Sequence, residues 1–267
     1  MSPELFPALH GELMVLLRGM RRDDWLRPTA CRAWTVKDLA GHILDGQLRR
    51  LSLARDRYTP PGPPVTTYEE IVRMINGMNA DWVAAAARLS PTLLIGLLEW
   101  TAPQVWEYFR SLDPDAAAVF PVSWAGELES RNEFDIAREF TEQWHHQQQI
   151  RDAVNGPPLT DAKWLRPVLE TLVKALPHAY RDTPATEGTS VNFVIEGPAG
   201  GTWSVQRRGV VWKLRKERET AAATVWIDQD AAWRLFTKGL NSKTVNARIE
   251  GDAELGRVAL RTVAVMG

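Results

Sequence analysis

The chain has 267 residues, of which 45% are apolar and 24% charged, and its formal net charge is −1. This composition is typical of a soluble globular protein with one or two domains, and the near-zero charge argues against a nucleic-acid or membrane-surface partner. No apolar run approaches the roughly 20 residues that a transmembrane helix needs. The N-terminus is acidic where signal peptides are basic, and the single cysteine, Cys31, cannot form an intramolecular disulfide. We therefore expect a cytoplasmic protein.

The first half of the chain predicts helices. Apolar residues recur at helical spacing, and stretches rich in Pro, Gly and Asn separate the segments. The predicted helices cover residues 9–20, residues from 34 onward, 68–89, 91–112 and 130–154. Four or five long helices without strands are typical of a helix bundle.

Local signals mark several helix ends. Thr35 is a predicted N-cap of the second helix, and Asp38 completes a capping box three residues later. Ser130 and Glu133 offer the same spacing at the start of the last helix, which the Asn-Gly-Pro-Pro sequence at 155–158 should end. The Pro-rich residues 60–70 should break the second helix, and residues 113–130 should form a loop.

The second half of the chain changes to a period of two. Val191, Phe193 and Ile195 alternate on one face of a predicted strand at 189–196. Further short strands are predicted at 202–206, 209–215, 222–228 and 244–252, and helices near 164–176, at 230–239 and at 253–266. The fold class is therefore α+β, with a four-helix bundle at residues 1–157 and a small domain with an antiparallel sheet at 158–267.

The spacing of Glu142 and His146 suggests a metal site. They lie four residues apart, so both project from one face of the last predicted helix of the bundle. Carboxylate and imidazole are ligands for zinc and similar divalent ions. His42 on the second predicted helix is the best third donor, and Gly46 one turn later leaves space beside it. Two histidines and one glutamate would leave one coordination position free, as in catalytic zinc sites.

A simpler interpretation is a solvated helix face. On a helical wheel Phe134, Ala137, Phe140 and Trp144 form the apolar stripe of this helix, and Glu142 and His146 point nearly the opposite way. Spacing alone favours this interpretation, with a weak contact between the two side chains. His145 is expected to point about 100° away from His146, on the helix flank, and so not to share a metal with it.

Other polar residues near these positions have weaker support. Asp38 and Asp45 lie on the helix of His42, where their carboxylates could accept a hydrogen bond from a ligand imidazole, although exposed helix charges are the simpler interpretation. A redox or nucleophilic role for Cys31 is disfavoured because no histidine lies near it in sequence. The sequence contains none of the phosphate-loop, dinucleotide, nucleophile-elbow or paired-cysteine motifs.

Three stretches of the sequence resemble a known family. RAWTVKDLAGHIL, residues 32–44, resembles the first signature of the DinB-like, mycothiol-dependent maleylpyruvate isomerase family, and residues 122–157, from VSWAGELES to IRDAVNGP, resemble the second. ARIEGDAELGRVALRTVAVM, residues 247–266, resembles the end of that family's C-terminal domain, which is similar to sterol carrier protein folds. The resemblance covers nearly the whole chain in the same order.

The resemblance implies metal ligands at His42, Glu142 and His146, the same three that the spacing suggested. It also implies a divalent metal, Zn²⁺ before other ions, and mycothiol or a similar thiol as cofactor. One position departs from the pattern, because relatives usually carry Asp three residues after the second ligand histidine and this chain has Gln149. An amide in place of a carboxylate would alter the arrangement behind the ligand imidazole or the substrate preference.

Three functions follow as hypotheses. The first is a metal-dependent enzyme in which a mycothiol-type thiolate attacks a small electrophilic, carboxylated substrate and yields isomerisation or transfer of sulfur. Arg49, Arg50, Arg88 and Arg138 are candidates for binding the substrate carboxylate. The second is a thiol-independent metal hydrolase, which would turn over without added thiol. The third is a non-enzymatic protein that binds a small molecule or lipid in its sterol-carrier-like half.

Overall fold

The computed structural model describes residues 3–61, 65, 67–216 and 220–265. The chain divides into two compact units, one formed by the chain up to Phe120 with Arg131–Pro158, the other by Pro121–Ser130 with the chain from Leu159 onward. Helices form the first unit and a sheet with helices forms the second, which confirms the predicted α+β class. Among the helices described, none has the length and apolar character needed to cross a membrane.

The first unit is a helix bundle. Its helices are α1 (Leu5–Arg18), α2 (Val36–Arg49), α3 (Tyr68–Ala86), α4 (Pro91–Ser111) and α5 (Asn132–Val154). A 3-10 turn at Arg22–Leu26 precedes α2, and a π-helical turn at Arg50–Arg55 follows it directly. The predicted break after α2 falls partly on residues 62–64 and 66, which lie outside the described residues.

The start of α2 follows the predicted capping box. The Thr35 hydroxyl accepts a hydrogen bond from the backbone N–H of Asp38, and the Asp38 carboxylate accepts one from the backbone N–H of Thr35 at 2.9 Å. These bonds satisfy backbone donors that the first turn of a helix leaves without partners. The helix that presents His42 is therefore fixed at its N-terminal end.

The predicted cap of α5 was wrong. The N-cap is Arg131, with no side-chain cap bond, and not Ser130. The Ser130 hydroxyl instead accepts a hydrogen bond from the backbone N–H of Val122 at 2.8 Å and donates to the Glu127 carboxylate. The predicted end is confirmed, since Asn155 is left-handed (φ 54°) and the N–H of Gly156 donates to the carbonyl of Arg151.

The centre of the bundle lies around α2, which packs against α3, α4 and α5. Leu39, Ala40 and Leu44 of α2 are fully buried in an apolar cluster shared with α1 and α4. Burial of these apolar residues fixes the position of α2 beside α5 and so determines which polar side chains of the two helices come into contact.

The second unit contains the sheet. Its helices are α6 (Ala162–Leu172), the one-turn α7 (Leu176–Ala179), α8 (Gln229–Phe236) and α9 (Ala253–Leu260). Its strands are β1 (Ser190–Glu196), β2 (Gly201–Arg208), β3 (Val211–Arg215), β4 (Ala223–Asp228) and β5 (Ala247–Gly251), in the order β3-β2-β1-β4-β5. Val191, Phe193 and Ile195 are buried as predicted, and Asp228 caps α8.

The predicted antiparallel sheet holds for three of the four strand pairs. β1 and β4 are parallel, with Phe193 opposite Val225. After the β1-β2-β3 meander the chain returns to the free edge of β1 and runs in the direction of that strand. The alternation within each strand predicts a buried face but carries no information about the direction of a neighbour that lies far along the chain.

Candidate metal centre

Two helices of the bundle bring the predicted ligands together. α2 presents His42, and α5 presents Glu142 and His146. The ring centroids of His42 and His146 lie 4.7 Å apart with their planes nearly perpendicular, and Trp34 packs against the His42 ring at 4.9 Å. A Cβ at Gly46 would meet no other atom within 4 Å, so the expected space one turn beyond His42 is present.

The solvated-face interpretation of α5 is wrong for His146 but holds in part for Glu142, whose side chain is 35% exposed. His146 is only 9% exposed, and His145 and Gln149 are also buried. α5 is buried on its polar as well as its apolar side because it passes through the bundle. Polar side chains in such a position need specific partners.

The first such contact joins Glu142 to His146. Glu142 Oε2 lies 3.3 Å from His146 Nε2, one helical turn apart. Burial raises the pKa of Glu142, but the hydrogen bond from His146 and the positive charges of His146, His145 and Arg138 outweigh that effect and lower this pKa to about 2. Glu142 is therefore an anionic oxygen donor at neutral pH.

Gln149 forms a hydrogen bond with the other nitrogen of the His146 ring. Its amide oxygen Oε1 lies 2.9 Å from His146 Nδ1. An amide oxygen only accepts, so Nδ1 is the donor in this contact, and the second nitrogen, Nε2, faces the Glu142 carboxylate. A cation between Nε2 and Glu142 Oε2, a proton or a metal ion, joins these two atoms.

His42 adds a third donor. Its Nδ1 is buried and has no hydrogen-bond partner among the residues that the structure describes. Burial, together with the positive charge of His146, lowers the pKa of His42 to about 3, so that its imidazole is neutral at physiological pH. A neutral imidazole with a buried, unsatisfied nitrogen is a suitable ligand for a divalent metal.

His145 lies closer to this centre than its position on the helical wheel predicts. One ligand atom from each of Glu142, His145 and His146 lies within 4.8 Å of the others, and the His145 and His146 ring centroids are 5.2 Å apart. The expectation that His145 points away from His146 was wrong, because an imidazole is long enough to lean along the helix toward its neighbour. His42 is not part of that compact set, although its ring is in contact with His146.

The structure does not connect Asp38 or Asp45 to His42. Asp38 is used in the capping box, where it accepts hydrogen bonds from both the backbone N–H and the hydroxyl of Thr35. Asp45 Oδ2 lies 2.9 Å from an Nη atom of Arg49. Both carboxylates therefore have partners near them on α2, and these contacts give no support to a role in orienting the ligand imidazole. Asp45 is buried, however, so the simpler interpretation as an exposed helix charge is wrong for it.

The four arginines differ in their surroundings. Arg49 also donates to Asn79, and Arg88 is exposed on the chain after α3. Arg50 is buried and donates to Asp135 at 2.6 Å and to Glu139 at 2.8 Å. Arg138 pairs with the same two carboxylates and lies one turn before Glu142 on α5.

Cys31 also lies near this centre, although its sequence position did not predict this. Its thiol lies 3.6 Å from Gln149 Oε1, and burial raises its pKa. The two residues are 118 positions apart, so no local pattern could have predicted this contact.

Comparisons with known proteins agree with this architecture. No curated protein matches the sequence. Two crystal structures of a mycothiol-dependent maleylpyruvate isomerase, one of them of a histidine-to-alanine mutant, match the fold with TM-scores of 0.56 and 0.55, at 13% and 12% sequence identity. Each alignment covers 92% of this chain and 90% of the other.

The family comparison concerns the bundle. The model of the mycothiol maleylpyruvate isomerase N-terminal domain matches residues 6–151, which is more than half of the chain. This range contains the resemblance noted at residues 32–44 and nearly all of α5. The chain therefore belongs to the mycothiol maleylpyruvate isomerase family of enzymes, which confirms the family predicted from its motifs.

Proposed function

We propose that this protein is a metal-dependent enzyme that uses a mycothiol-type thiol to isomerise, or to transfer sulfur to, a small electrophilic substrate that carries a carboxylate. The observation that supports the metal is the arrangement of His146 Nε2 opposite Glu142 Oε2 at 3.3 Å. The ring of His42, whose buried Nδ1 is unsatisfied, lies 4.7 Å from that of His146 between centroids. Family membership supports the thiol and the reaction class.

His42, Glu142 and His146 would hold the metal. This set combines two imidazoles with one carboxylate and leaves a position free, which fits zinc. A zinc ion bound there would lower the pKa of the cofactor thiol and so supply a thiolate at neutral pH. His145 is the alternative third donor, and its substitution therefore belongs in every test of the ligand set.

The surrounding residues orient the ligands. Gln149 accepts a hydrogen bond from His146 Nδ1 and so directs Nε2 toward Glu142. Trp34 covers one face of the His42 ring and limits its rotation. Such contacts around the ligands keep them in position.

Arg138 is the best candidate for the substrate carboxylate. Its guanidinium lies one turn from Glu142, and its charge acts on that carboxylate. Its side chain is 12% exposed, in contrast to the 3% of Arg50, so a ligand can reach it more easily. We expect Arg138→Gln to raise KM more than it lowers kcat, because the lost contact is made in the ground state as well as in the transition state.

The test is an activity screen with maleylpyruvate and related unsaturated acids, with and without mycothiol, on metal-loaded and chelated protein. We expect turnover that requires both thiol and metal. Turnover without thiol would replace this proposal with the hydrolase, and tight binding of small molecules or lipid without turnover would replace it with the binding protein.

A further inference from the structure

One face of α2 carries an open space beside His42. His42, Gly46 and Arg49 are spaced four and then three residues apart, so they lie on the same face of the helix. A Cβ at Gly46 would meet no other atom within 4 Å, although glycine is an unfavourable residue inside a helix. The missing side chain therefore leaves room between the His42 ring and the next polar side chain on this face, which is Arg49.

The Arg49 side chain leans toward that space. Side chains on a helix point back toward its N-terminus, and Nη2 of Arg49 lies 2.9 Å from Asp45 Oδ2, one turn earlier. The charge of Arg49 is one of the smaller causes of the lowered pKa of His42, after burial and the charge of His146. The guanidinium is therefore within electrostatic range of the His42 ring, and Gly46 lies between the two residues along the helix.

Two neighbours hold Arg49 without using all of its donors. The Nη2 atom that contacts Asp45 also donates to the side-chain oxygen of Asn79 on α3 at 2.9 Å. Among the residues that the structure describes, none accepts a hydrogen bond from Nε or Nη1. The side chain is 25% exposed, so a ligand can reach it. Because Asp45 already balances the charge of the guanidinium, an oxygen that binds to Arg49 can be neutral or anionic.

We infer that Gly46 and Arg49 form a ligand subsite beside His42. The space over Gly46 takes the carbon chain of a thiol whose sulfur the metal would bind, and Arg49 donates to a carbonyl or carboxylate oxygen on that chain. The inference rests on the proposed function for the thiol. It assigns Arg49 on α2 to the thiol cofactor and leaves Arg138 on α5 to the carboxylate of the substrate.

Three thiols of similar length test the role of Arg49. The probes are 3-mercaptopropionate, 3-mercaptopropionamide and 1-propanethiol, titrated by calorimetry into zinc-loaded and chelated protein. We expect the first two, which carry an oxygen acceptor, to bind roughly 10-fold more tightly than propanethiol, since hydrogen bonds to charged groups are among the stronger ones. Arg49→Gln should remove this preference, and Arg49→Lys, which keeps a positive charge opposite Asp45, should keep part of it.

Substitution of Gly46 tests the space itself, with effects of opposite sign on stability and binding. Gly46→Ala and Gly46→Leu should raise the midpoint of thermal unfolding by about 2–4 °C, because both residues are better helix formers than glycine. Both should nevertheless weaken the binding of all three thiols, Gly46→Leu more than Gly46→Ala. Gly11→Ala and Gly11→Leu are the matched controls, since Gly11 has the same open surroundings on α1. They should raise the midpoint similarly and leave thiol binding unchanged.

Metal content, measured on the same samples, separates the possible failures. Equal affinity of the three thiols for the unmodified protein, or an oxygen preference that survives in Arg49→Gln, would overturn the role of Arg49, and unweakened binding in Gly46→Leu would overturn that of the space. A preference that depends on Arg49 but persists in chelated protein would uphold the subsite and refute the metal-bound thiol. Protein with full metal content that binds none of the thiols would overturn the subsite alone, and absence of both metal and binding would overturn the subsite and the proposed function together.

Discussion

Arg50 is a charged residue that is buried inside the bundle and held there by ion pairs. Its side chain is 3% exposed, and it pairs with Asp135 and Glu139, while its guanidinium also lies 5.0 Å from the Phe120 ring centroid. Two desolvated carboxylates depend on it, although Arg138 shares them. This ion-pair cluster joins Arg50, directly after α2, to the part of α5 that precedes Glu142, and so helps to fix that part of α5.

Substitution of Arg50 by Met should therefore be costly. We expect a loss of about 3 kcal/mol in the free energy of unfolding, because removal of one partner leaves a buried carboxylate without full compensation. Arg131→Met is the matched control, since Arg131 pairs with Asp115 on the surface and such pairs contribute less than about 1 kcal/mol. Urea denaturation measures both, and equal small losses would show that the buried cluster contributes little.

His10 should make stability depend on pH. Burial lowers its pKa to about 4 in the folded protein, against 6.5 for the unperturbed group. The unfolded chain then binds the proton more tightly, so the free energy of unfolding should fall as pH decreases from 6.5 to 4, by on the order of 3 kcal/mol from this group.

The comparison is with His10→Phe, whose ring can keep the edge contact with Trp106. Over this pH range the variant should lose less stability than the unmodified protein. Parallel curves for the two proteins would mean that His10 does not carry this part of the pH dependence.

At the scale of helices, the capping box of α2 is the simplest prediction to check. Thr35 satisfies the backbone N–H of Asp38, and Thr35→Ala removes that acceptor at the start of the helix that carries His42. We expect a loss of about 1 kcal/mol in the free energy of unfolding. Thr35→Ser keeps the hydroxyl and should be close to the unmodified protein, and a similar loss in both variants would argue against the cap.

The accuracy of sequence-based prediction for these elements depends on how local the signals are. The cap at Thr35 and the end of α5 at Asn155 were predicted correctly, since each is determined by residues within one turn. Ser130 was assigned wrongly because a residue eight positions away takes up its hydroxyl. The parallel pairing of β1 with β4 was missed because it joins two strands that are far apart in sequence, with β2 and β3 between them.

The candidate metal centre shows the same limit. The spacing of Glu142 and His146 was visible within one helix, but the choice between a metal site and a solvated face depended on burial, which is set by the other helices. His42 was predicted as the third ligand because it lies on a predicted helix of similar character, and the family resemblance implied the same residue. The approach of His145 and the contact of Cys31 with Gln149 arise from side-chain conformation and tertiary packing, which a helical wheel does not contain.

For the whole molecule, a bound metal should act on stability. A metal that binds the folded bundle and not the unfolded chain adds RT ln(1 + [L]/Kd), which is about 2.7 kcal/mol at a hundredfold excess over Kd. Thermal unfolding of the chelated protein should therefore shift upward when zinc is added, and the shift should disappear in His146→Gln. A shift of equal size in that variant would indicate zinc binding elsewhere.

The most direct test of the central claim is the metal content of the purified protein and of its ligand variants, measured by elemental mass spectrometry against protein concentration. We predict one divalent metal per chain in the unmodified protein and in His10→Phe, and loss of that metal in His42→Ala, Glu142→Gln and His146→Gln. His145→Ala should retain it. Absence of stoichiometric metal from the unmodified protein, or full metal content in His42→Ala with loss in His145→Ala, would contradict the proposed ligand set.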